Sequence, residues 1–346
     1  MGSKPGARHY FAEGITNRGY ISLLPNMMSE WERTYVLMGG PGTGKSTLIK
    51  MVGLELLDRG YEVDFLRSAR DPDSTAGLLI PRSNFAMLDL QEIAPLRWRA
   101  PGVVEQFIDL TVYCDLHDLD KQRQSVLELE RKIDRAQREI GEILAEEFGE
   151  KVRGKPYLIQ ENRDGGRPWL PSLYASDLFK DAQGPWPKAQ DALKKLQKSA
   201  VHSFFLHGMD CEGWVNLAPH YLMEYDQIRF DGDESREAMD WVLKEAEQLG
   251  QVIDIVLHPL YPDEIIGIVF PERKLAVWQG VPDQLNDQGL GCPFSTKLKE
   301  ALVQAQNLRG LLKSIYMNVI DFDQVDILRG ELINSILRDI ELKRLF

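Results

Sequence analysis

The most informative stretch of the sequence is Gly39-Gly-Pro-Gly-Thr-Gly-Lys-Ser-Thr47. Its glycines let the backbone curl so that several N–H groups point at one phosphate chain. The Lys45 ammonium can reach β- and γ-phosphate oxygens, and the Ser46 hydroxyl can ligate a magnesium ion. A helix starting here would direct its positive N-terminal end at the same phosphates. The stretch therefore predicts a phosphate-binding loop.

Both flanks of the loop have the pattern that such a loop requires. Residues 35–38 form a short apolar run that is typical of a strand. The residues after the loop place apolar side chains at helical spacing, at Leu48, Ile49, Val52, Leu56 and Leu57, before Gly60. Strand, loop and helix together indicate an α/β fold of the P-loop NTPase type, a three-layer α/β/α sandwich. We expect the nucleotide to contact the loop residues Gly39, Gly40, Pro41, Gly42, Thr43, Gly44, Lys45, Ser46 and Thr47.

Carboxylates after the loop are candidates for the chemistry. Residues 85–88 are apolar and end in Asp89, and an acid at the end of a core strand can lie beside the loop and hold Mg²⁺ through its water shell. Asp64 and Asp109 have similar neighbours. We expect Ser46 and Asp89 on the metal side, and Lys45, Asp89, Glu92 and Asp73 in catalysis.

The residue after Asp89 is Leu90, where many ATPases have a water-activating Glu. Glu92 lies close by, and Asp71 and Asp73 lie on a loop that can face the γ-phosphate, so each is a candidate for that role. The candidate transition-state cations are Arg67, Arg70, Arg97 and Arg99.

Composition and charge limit the kinds of partner and the cellular location that we expect for this protein. The 346 residues are 43% hydrophobic and carry a net charge of −12, which divides into −1 over residues 1–200 and −11 over residues 201–346. An acidic half repels phosphate polyanions, which disfavours nucleic acid. No apolar run has the length of a membrane span, and the start lacks a signal-peptide core. The three cysteines form neither a metal pattern nor a disulfide framework, so we expect a cytoplasmic protein.

Residues 119–148 predict a long amphipathic helix, an arm resembling a coiled coil. Apolar residues step by threes and fours at Val126, Leu129, Ile133, Ala136, Ile140 and Ile143. Such a seam calls for a helical partner within the chain, in another protein or in a second copy. Residues 189–199 have helical spacing too, as do residues 295–346, which can pair with the arm.

The second half of the sequence repeats features of the first. Residues 250–256 match 60–66, and residues 261–271 match 71–81 with Gly and Pro in register. The phosphate-binding residues do not repeat, since Glu237 stands opposite Lys45, Ala238 opposite Ser46 and Gln279 opposite Asp89. We expect a duplicated fold in three parts: a P-loop domain (1–115), a helical arm and linker (116–200), and a degenerate α/β domain with C-terminal helices (201–346).

The layout resembles a bacterial family of tandem P-loop proteins labelled ATPase or nucleotide-kinase-like. The residues that carry the resemblance are Arg8-His9-Tyr10-Phe11, the loop itself, Asp71-Pro-Asp-Ser74, Ile80-Pro81, Ala86-Met-Leu-Asp89, Ala94-Pro95 and Ala100-Pro101-Gly102. The resemblance implies a P-loop in each half and a His after Ala-Pro. In this chain the second loop is absent and Leu96 takes the place of that His.

Three functions fit the sequence. The first is ATP binding with Mg²⁺ and hydrolysis in the first domain that moves the arm or the second domain. The second is a small-molecule or nucleotide kinase, which suits the same loop but shows no acceptor motif. The third is a nucleotide-gated module with negligible turnover that binds a protein partner, or a second copy, through the arm. ATP is favoured over GTP because no guanine-reading motif is present.

Overall fold

The computed structural model describes residues 6–27, 31–93, 98–149, 201–230, 235–279 and 294–343, and these form a mixed α/β fold, as expected. The strands are β1 (Ala7–Tyr10), β2 (Glu13–Thr16), β3 (Gly19–Ser22), β4 (Arg33–Met38), β5 (Val63–Arg67), β6 (Thr75–Ile80), β7 (Phe85–Asp89), β8 (Glu105–Asp109), β9 (Val201–Phe204), β10 (His207–Met209), β11 (Trp214–Asn216), β12 (Asp226–Phe230), β13 (Ile253–Leu257), β14 (Ile265–Phe270) and β15 (Leu275–Gln279). The helices are α1 (Leu24–Met27), α2 (Lys45–Asp58), α3 (Leu116–Lys121), α4 (Arg123–Phe148), α5 (Ala218–Tyr221), α6 (Ser235–Gln248), α7 (Thr296–Met317) and α8 (Phe322–Lys343).

The first sheet has six strands in the order β1-β5-β6-β7-β4-β8. Strand β4 has a parallel neighbour on each side, β7 and β8, and β1 is parallel to β5. Strand β6 is antiparallel to both β5 and β7. The strand that precedes the glycine-rich loop is therefore an inner strand, and both of its neighbours end at the same edge of the sheet as the loop.

The second sheet has five strands in the order β9-β13-β14-β15-β12. Strand β9 is parallel to β13, β12 is parallel to β15, and β14 is antiparallel to both of its neighbours. The order and directions are those of β1-β5-β6-β7-β4, and the first sheet has β8 in addition. A two-stranded antiparallel ribbon accompanies each sheet, β2–β3 in the first half and β10–β11 in the second.

The two halves share one buried core, which is formed by one face of each sheet together with the short helices α1 and α5. Side chains alternate between the two faces of a strand. One face of the first sheet packs against α2 and α8, and one face of the second packs against α6. The remaining faces share one buried core, with Leu66, Leu79, Ala86 and Leu88 from the first sheet and Val256, Val269, Ala276 and Trp278 from the second.

This layering differs from the three-layer sandwich expected of each half. The inner face of each sheet is apolar, as it is in a three-layer fold, but the described residues that cover it come from the other sheet and from the short helices α1 and α5 instead of a second layer of long helices. The alternation of apolar residues reports that a face is buried and carries no information about what buries it. The sequence therefore predicted that both faces of each sheet are buried, but it could not predict which element covers the inner face.

The long helix predicted at 119–148 is present as α4, and its partner is α7. The C-terminal half of α4 is buried against α7 through Ala136, Ile140, Ile143 and Leu144 on one side and Leu298, Ala301, Leu302 and Ala305 on the other. Lys297 at the start of α7 pairs with Glu146 at the end of α4, so the two helices run antiparallel. The helix expected at 189–199 lies outside the described residues.

The last helix, α8, packs on the first sheet. Its residues Val325, Leu332, Ile336 and Ile340 are buried with α2 against that sheet. The hydroxyl of Tyr35, in β4, is 3.0 Å from Ser335 Oγ of α8 and donates a hydrogen bond to the Asp339 carboxylate at 3.2 Å. The sequence division grouped both C-terminal helices with residues 201–346, whereas the chain returns here to complete the core of the first half. None of the described helices has the length and apolarity needed to span a bilayer.

The shared core predicts a large effect of Trp278→Ala. The indole is fully buried between the sheets, and a Cβ added at Gly267 would lie 2.9 Å from it, so little space exists for rearrangement. We expect the free energy of unfolding to fall by about 3–5 kcal/mol in urea titrations followed by circular dichroism.

Met223→Ala is the matched control, because Met223 is 74% exposed. We expect it to change stability by less than about 0.5 kcal/mol. A similar small change for Trp278→Ala would contradict the shared core.

Candidate functional site

The glycine-rich loop lies where β4 ends and α2 begins. Helix α2 starts at Lys45, and Gly44 before it has φ of 87°, which is a left-handed conformation that glycine adopts without strain. Gly42 has φ of 88°. The Thr43 hydroxyl donates to the Gly40 carbonyl at 2.9 Å, so this side chain braces the loop from inside. The loop thus turns tightly and leads directly into the N-terminus of a 14-residue helix.

Lys45 is buried and folds back over its own loop. Its Nζ donates to the carbonyls of Gly39 and Gly40 at 2.7 Å each, and to Gln91 Oε1 at 3.1 Å. Asp89 Oδ2 lies 3.7 Å from the same nitrogen. Burial lowers the pKa of Lys45, and the carboxylates of Asp89 and Glu92 oppose that shift. The ammonium therefore stands inside the loop among acceptor oxygens.

Asp89 reaches the loop through strand pairing. It ends β7, and the parallel register places it opposite Leu37 of β4, two residues before Gly39. Its Oδ1 accepts the Gln91 backbone N–H at 3.0 Å. Burial raises the pKa of Asp89 to about 6, although the nearby Lys45 charge acts in the opposite direction. The structure therefore brings together Lys45 and Asp89, as the sequence predicted.

Ser46 occupies the first turn of α2. Its hydroxyl accepts the backbone N–H of Thr75, the first residue of β6, at 2.8 Å. A hydroxyl that accepts one hydrogen bond keeps a lone pair for a further partner. Among the described residues, no three or more His, Cys, Asp or Glu side chains are grouped as a metal site.

Glu92 is buried near Lys45 and Asp89, and its carboxylate has two side-chain partners. Its Oε2 accepts from Ser68 Oγ at 2.6 Å, and its Oε1 accepts from the Arg309 guanidinium of α7. The Ser68 hydroxyl also accepts the backbone N–H groups of Arg70 and Asp71, which fixes the turn after β5. Glu92 is therefore held by an element from the other end of the chain.

Helix α7 crosses the loop on this side. Lys313 Nζ is 2.7 Å from Asp71 Oδ2, and the Tyr316 ring packs so closely on Gly40 that a Cβ there would overlap it. A Cβ on Gly42 would lie 2.6 Å from the Lys313 carbonyl. Burial alone would raise the pKa of Asp71, but the hydrogen bond and charge of Lys313 outweigh it and lower that pKa.

The remaining residues that the sequence proposed for catalysis lie at the margin of the Lys45–Asp89 site or away from it. The Asp73 carboxylate is fully exposed, 3.8 Å from Arg67, and the structure does not bring it to Lys45. Arg70 donates to the Gln91 carbonyl at 2.8 Å and stacks over the Tyr20 ring, so it lies at the margin of the site. Arg99 bonds the Trp31 carbonyl. Arg97, and with it Leu96, lies outside the described residues.

Among the described residues of the second half, the positions that the sequence comparison matched to Lys45, Ser46 and Asp89 carry other side chains. Gln279 ends β15, the strand that matches β7, and Glu237 and Ala238 lie in the first turn of α6. Glu237 is exposed and Ala238 is buried in the core. The acidic residues Asp231, Asp233 and Glu234 lie outside the described residues.

Sequence reasoning missed the contribution of α7. Arg309 and Lys313 lie more than 200 residues from their partners along the chain. The one available signal was their i, i+4 spacing, which puts two cations on one helix face within an acidic half. Gln91 was missed too, although it lies two residues beyond Asp89.

Comparisons with protein-family models, with curated proteins and with solved structures found no match to this chain. The site's geometry and chemistry therefore carry the functional argument alone.

The buried Asp89 predicts a defined pH dependence of stability. Its pKa is about 6 in the fold against an ordinary 3.8, so between these values only the folded protein holds the proton. Stability contributed by this group is therefore highest below about pH 4 and falls by roughly 3 kcal/mol as pH rises through 6.

In urea titrations from pH 4.5 to 7.5 with EDTA present, we expect Asp89→Asn to lose less stability with rising pH than the unmodified chain. Asp73→Asn serves as the control, because its carboxylate is fully exposed, and it should follow the unmodified chain. Equal slopes for all three proteins would contradict the raised pKa.

Proposed function

We propose that this protein binds a nucleoside triphosphate, ATP in preference, with Mg²⁺ at the loop of residues 39–47 and hydrolyses it. The observation that carries the proposal is the buried Lys45 ammonium, held by loop carbonyls and 3.7 Å from Asp89 on the adjacent parallel strand. A strand, a glycine-rich turn, a buried lysine and a neighbouring strand-end aspartate together match the chemistry of triphosphate binding. An ammonium makes stronger hydrogen bonds to charged phosphate oxygens than to neutral carbonyl oxygens.

Each residue has a distinct role in this proposal. The backbone N–H groups of residues 40–46 and the N-terminus of α2 hold the phosphates. Lys45 leaves its carbonyl partners to contact the β- and γ-phosphate oxygens. Glu92 is buried at the site and already hydrogen-bonded, so it is the best-placed acid to orient a water molecule. Asp73, which is solvent-exposed, does not take part.

The donor set fits a magnesium ion. Ser46 offers a hydroxyl and Asp89 a carboxylate, and Mg²⁺ prefers a few protein oxygens supplemented by water and phosphate oxygens. When bound, the ion supplies charge neutralisation between phosphate oxygens. Asp89 would bind it directly or through water.

We also infer that the second half is a degenerate copy of the first. The matching strand orders and directions support this. So do two reciprocal contacts at the junction: Phe11 and Phe205 exchange backbone hydrogen bonds of 2.8 Å, and each ring packs on the other half's glycine, Gly208 or Gly14. Glu237, Ala238 and Gln279 remove the groups that would bind phosphate there.

The difference between the two halves predicts how many nucleotides each chain binds. Because only the first half has the lysine, hydroxyl and carboxylate, we expect isothermal titration calorimetry with Mg²⁺ and the non-hydrolysable ATP analogue AMP-PNP to give one site per chain. Two sites per chain would contradict a degenerate second half.

Lys45→Ala tests the function itself. Loss of a buried charge-assisted contact with phosphate should weaken AMP-PNP binding on the order of 100-fold and remove phosphate release from ATP. Lys50→Ala is the matched control, because Lys50 lies on the exposed side of the same helix and should keep both activities.

Three outcomes distinguish the functions. An unchanged rate of ATP hydrolysis in Lys45→Ala would contradict the proposed function. Tight AMP-PNP binding with ATP hydrolysis no faster than in buffer would favour a nucleotide-gated module over an ATPase. Labelled γ-phosphate appearing on a small-molecule acceptor would favour a kinase.

A further inference from the structure

We propose that Arg309 and Lys313 of α7 form a sensor for the terminal phosphate of the bound nucleotide. In the free site they pair with Glu92 and Asp71, and with a triphosphate bound they exchange these carboxylates for γ-phosphate oxygens. The inference rests on the proposed function and adds the element that distinguishes a triphosphate from a diphosphate.

The geometry of α7 supports this role. Arg309, Lys313 and Tyr316 follow one another at intervals of four and three residues, so they share one face of the helix. That face contacts the Glu92 carboxylate, the Asp71 carboxylate and Gly40 of the loop in turn. One face of α7 therefore contacts Glu92, Asp71 and the glycine-rich loop.

The charges around Arg309 are those of the proposed active site. Its partner Glu92 is buried, and the Arg309 side chain is itself only 12% exposed. Glu92 follows Asp89 by three residues, so the contact with Glu92 places the Arg309 guanidinium at the same end of β7 as the Lys45–Asp89 pair.

Exchange of partners is chemically reasonable. A terminal phosphate offers three acceptor oxygens and more negative charge than one carboxylate, and guanidinium binds it through two parallel hydrogen bonds. The Lys313 side chain is 37% exposed, so water reaches its ion pair with Asp71 and the pair contributes little to stability. A diphosphate ends before this position and leaves both ion pairs in place.

The exchange would reach the rest of the molecule through α7. The N-terminal part of α7 packs on α4 and on Met209 and Leu260 of the second half. A helix held at one end by the nucleotide and at the other by a shared apolar cluster transmits a shift along its axis, since packed helices move as rigid bodies. The sensor thus couples the first half to both the arm and the second half.

The test compares two ligands in the full-length chain. Calorimetry with Mg²⁺ measures the Kd for AMP-PNP and for ADP in the unmodified protein, Arg309→Ala, Lys313→Ala and the control Lys299→Ala, an exposed lysine on the same helix. We expect both sensor variants to lose about 10- to 100-fold in affinity for AMP-PNP and to keep ADP affinity within about twofold. The control should keep both affinities.

ADP binding in each variant reports that its site is folded. A second measurement needs no variant: hydrogen exchange of residues 305–317 in the unmodified chain should change on adding AMP-PNP and stay nearly constant with ADP.

Two results would overturn the sensor and leave the proposed function in place. One is an unchanged ratio of the two affinities in both variants, and the other is identical exchange of residues 305–317 with either nucleotide. Failure of the unmodified chain to bind either nucleotide would overturn both proposals.

Discussion

The parallel pairing of β4 with β7 is the constraint on which the candidate site depends. It fixes Leu37 opposite Asp89, so the strand that leads into the loop and the strand that carries the acid end at one edge. Burying an ammonium and a carboxylate is costly unless each has partners at fixed positions. The sheet supplies those positions, and the loop glycines let carbonyls approach Lys45 from the other side. A one-residue shift of this register would turn Asp89 to the opposite face.

The packing of one sheet on the other gives the second half a structural role that is independent of ligands. Without it, the apolar face formed by Leu66, Leu79, Ala86 and Leu88 would be exposed to water. Trp278 fills the facing surface and is fully buried. This packing role rests on apolar burial alone, so it does not require phosphate-binding residues in the second half. The second half has the strand order of the first sheet without β8, and Gln279 at the end of β15 takes the position that Asp89 has in β7.

The C-terminal helices join the two halves at the loop. Helix α8 completes the core on the outer face of the first sheet, and α7 lies between the loop and the arm. The two cations of α7 at the site lie in a region with a net charge of −11, so the overall charge hides the local arrangement. Fields at a site are set by the few nearest groups more than by the sum over the chain. Arg309 and Lys313 have their effect because of where α7 is anchored.

The amino-acid sequence was enough to predict the elements around the loop: the strand before it, helix α2 after it, Asp89 at the end of β7, and the long helix α4. These follow from local patterns, since periodicity and glycine spacing act over a few residues. Three features became visible only in the folded chain. The two sheets share one core, Glu92 lies inside the site while Asp73 lies outside it, and Arg309 and Lys313 reach the site from α7. Periodicity shows which face of a strand or helix is buried, but its partner is chosen by packing between segments hundreds of residues apart.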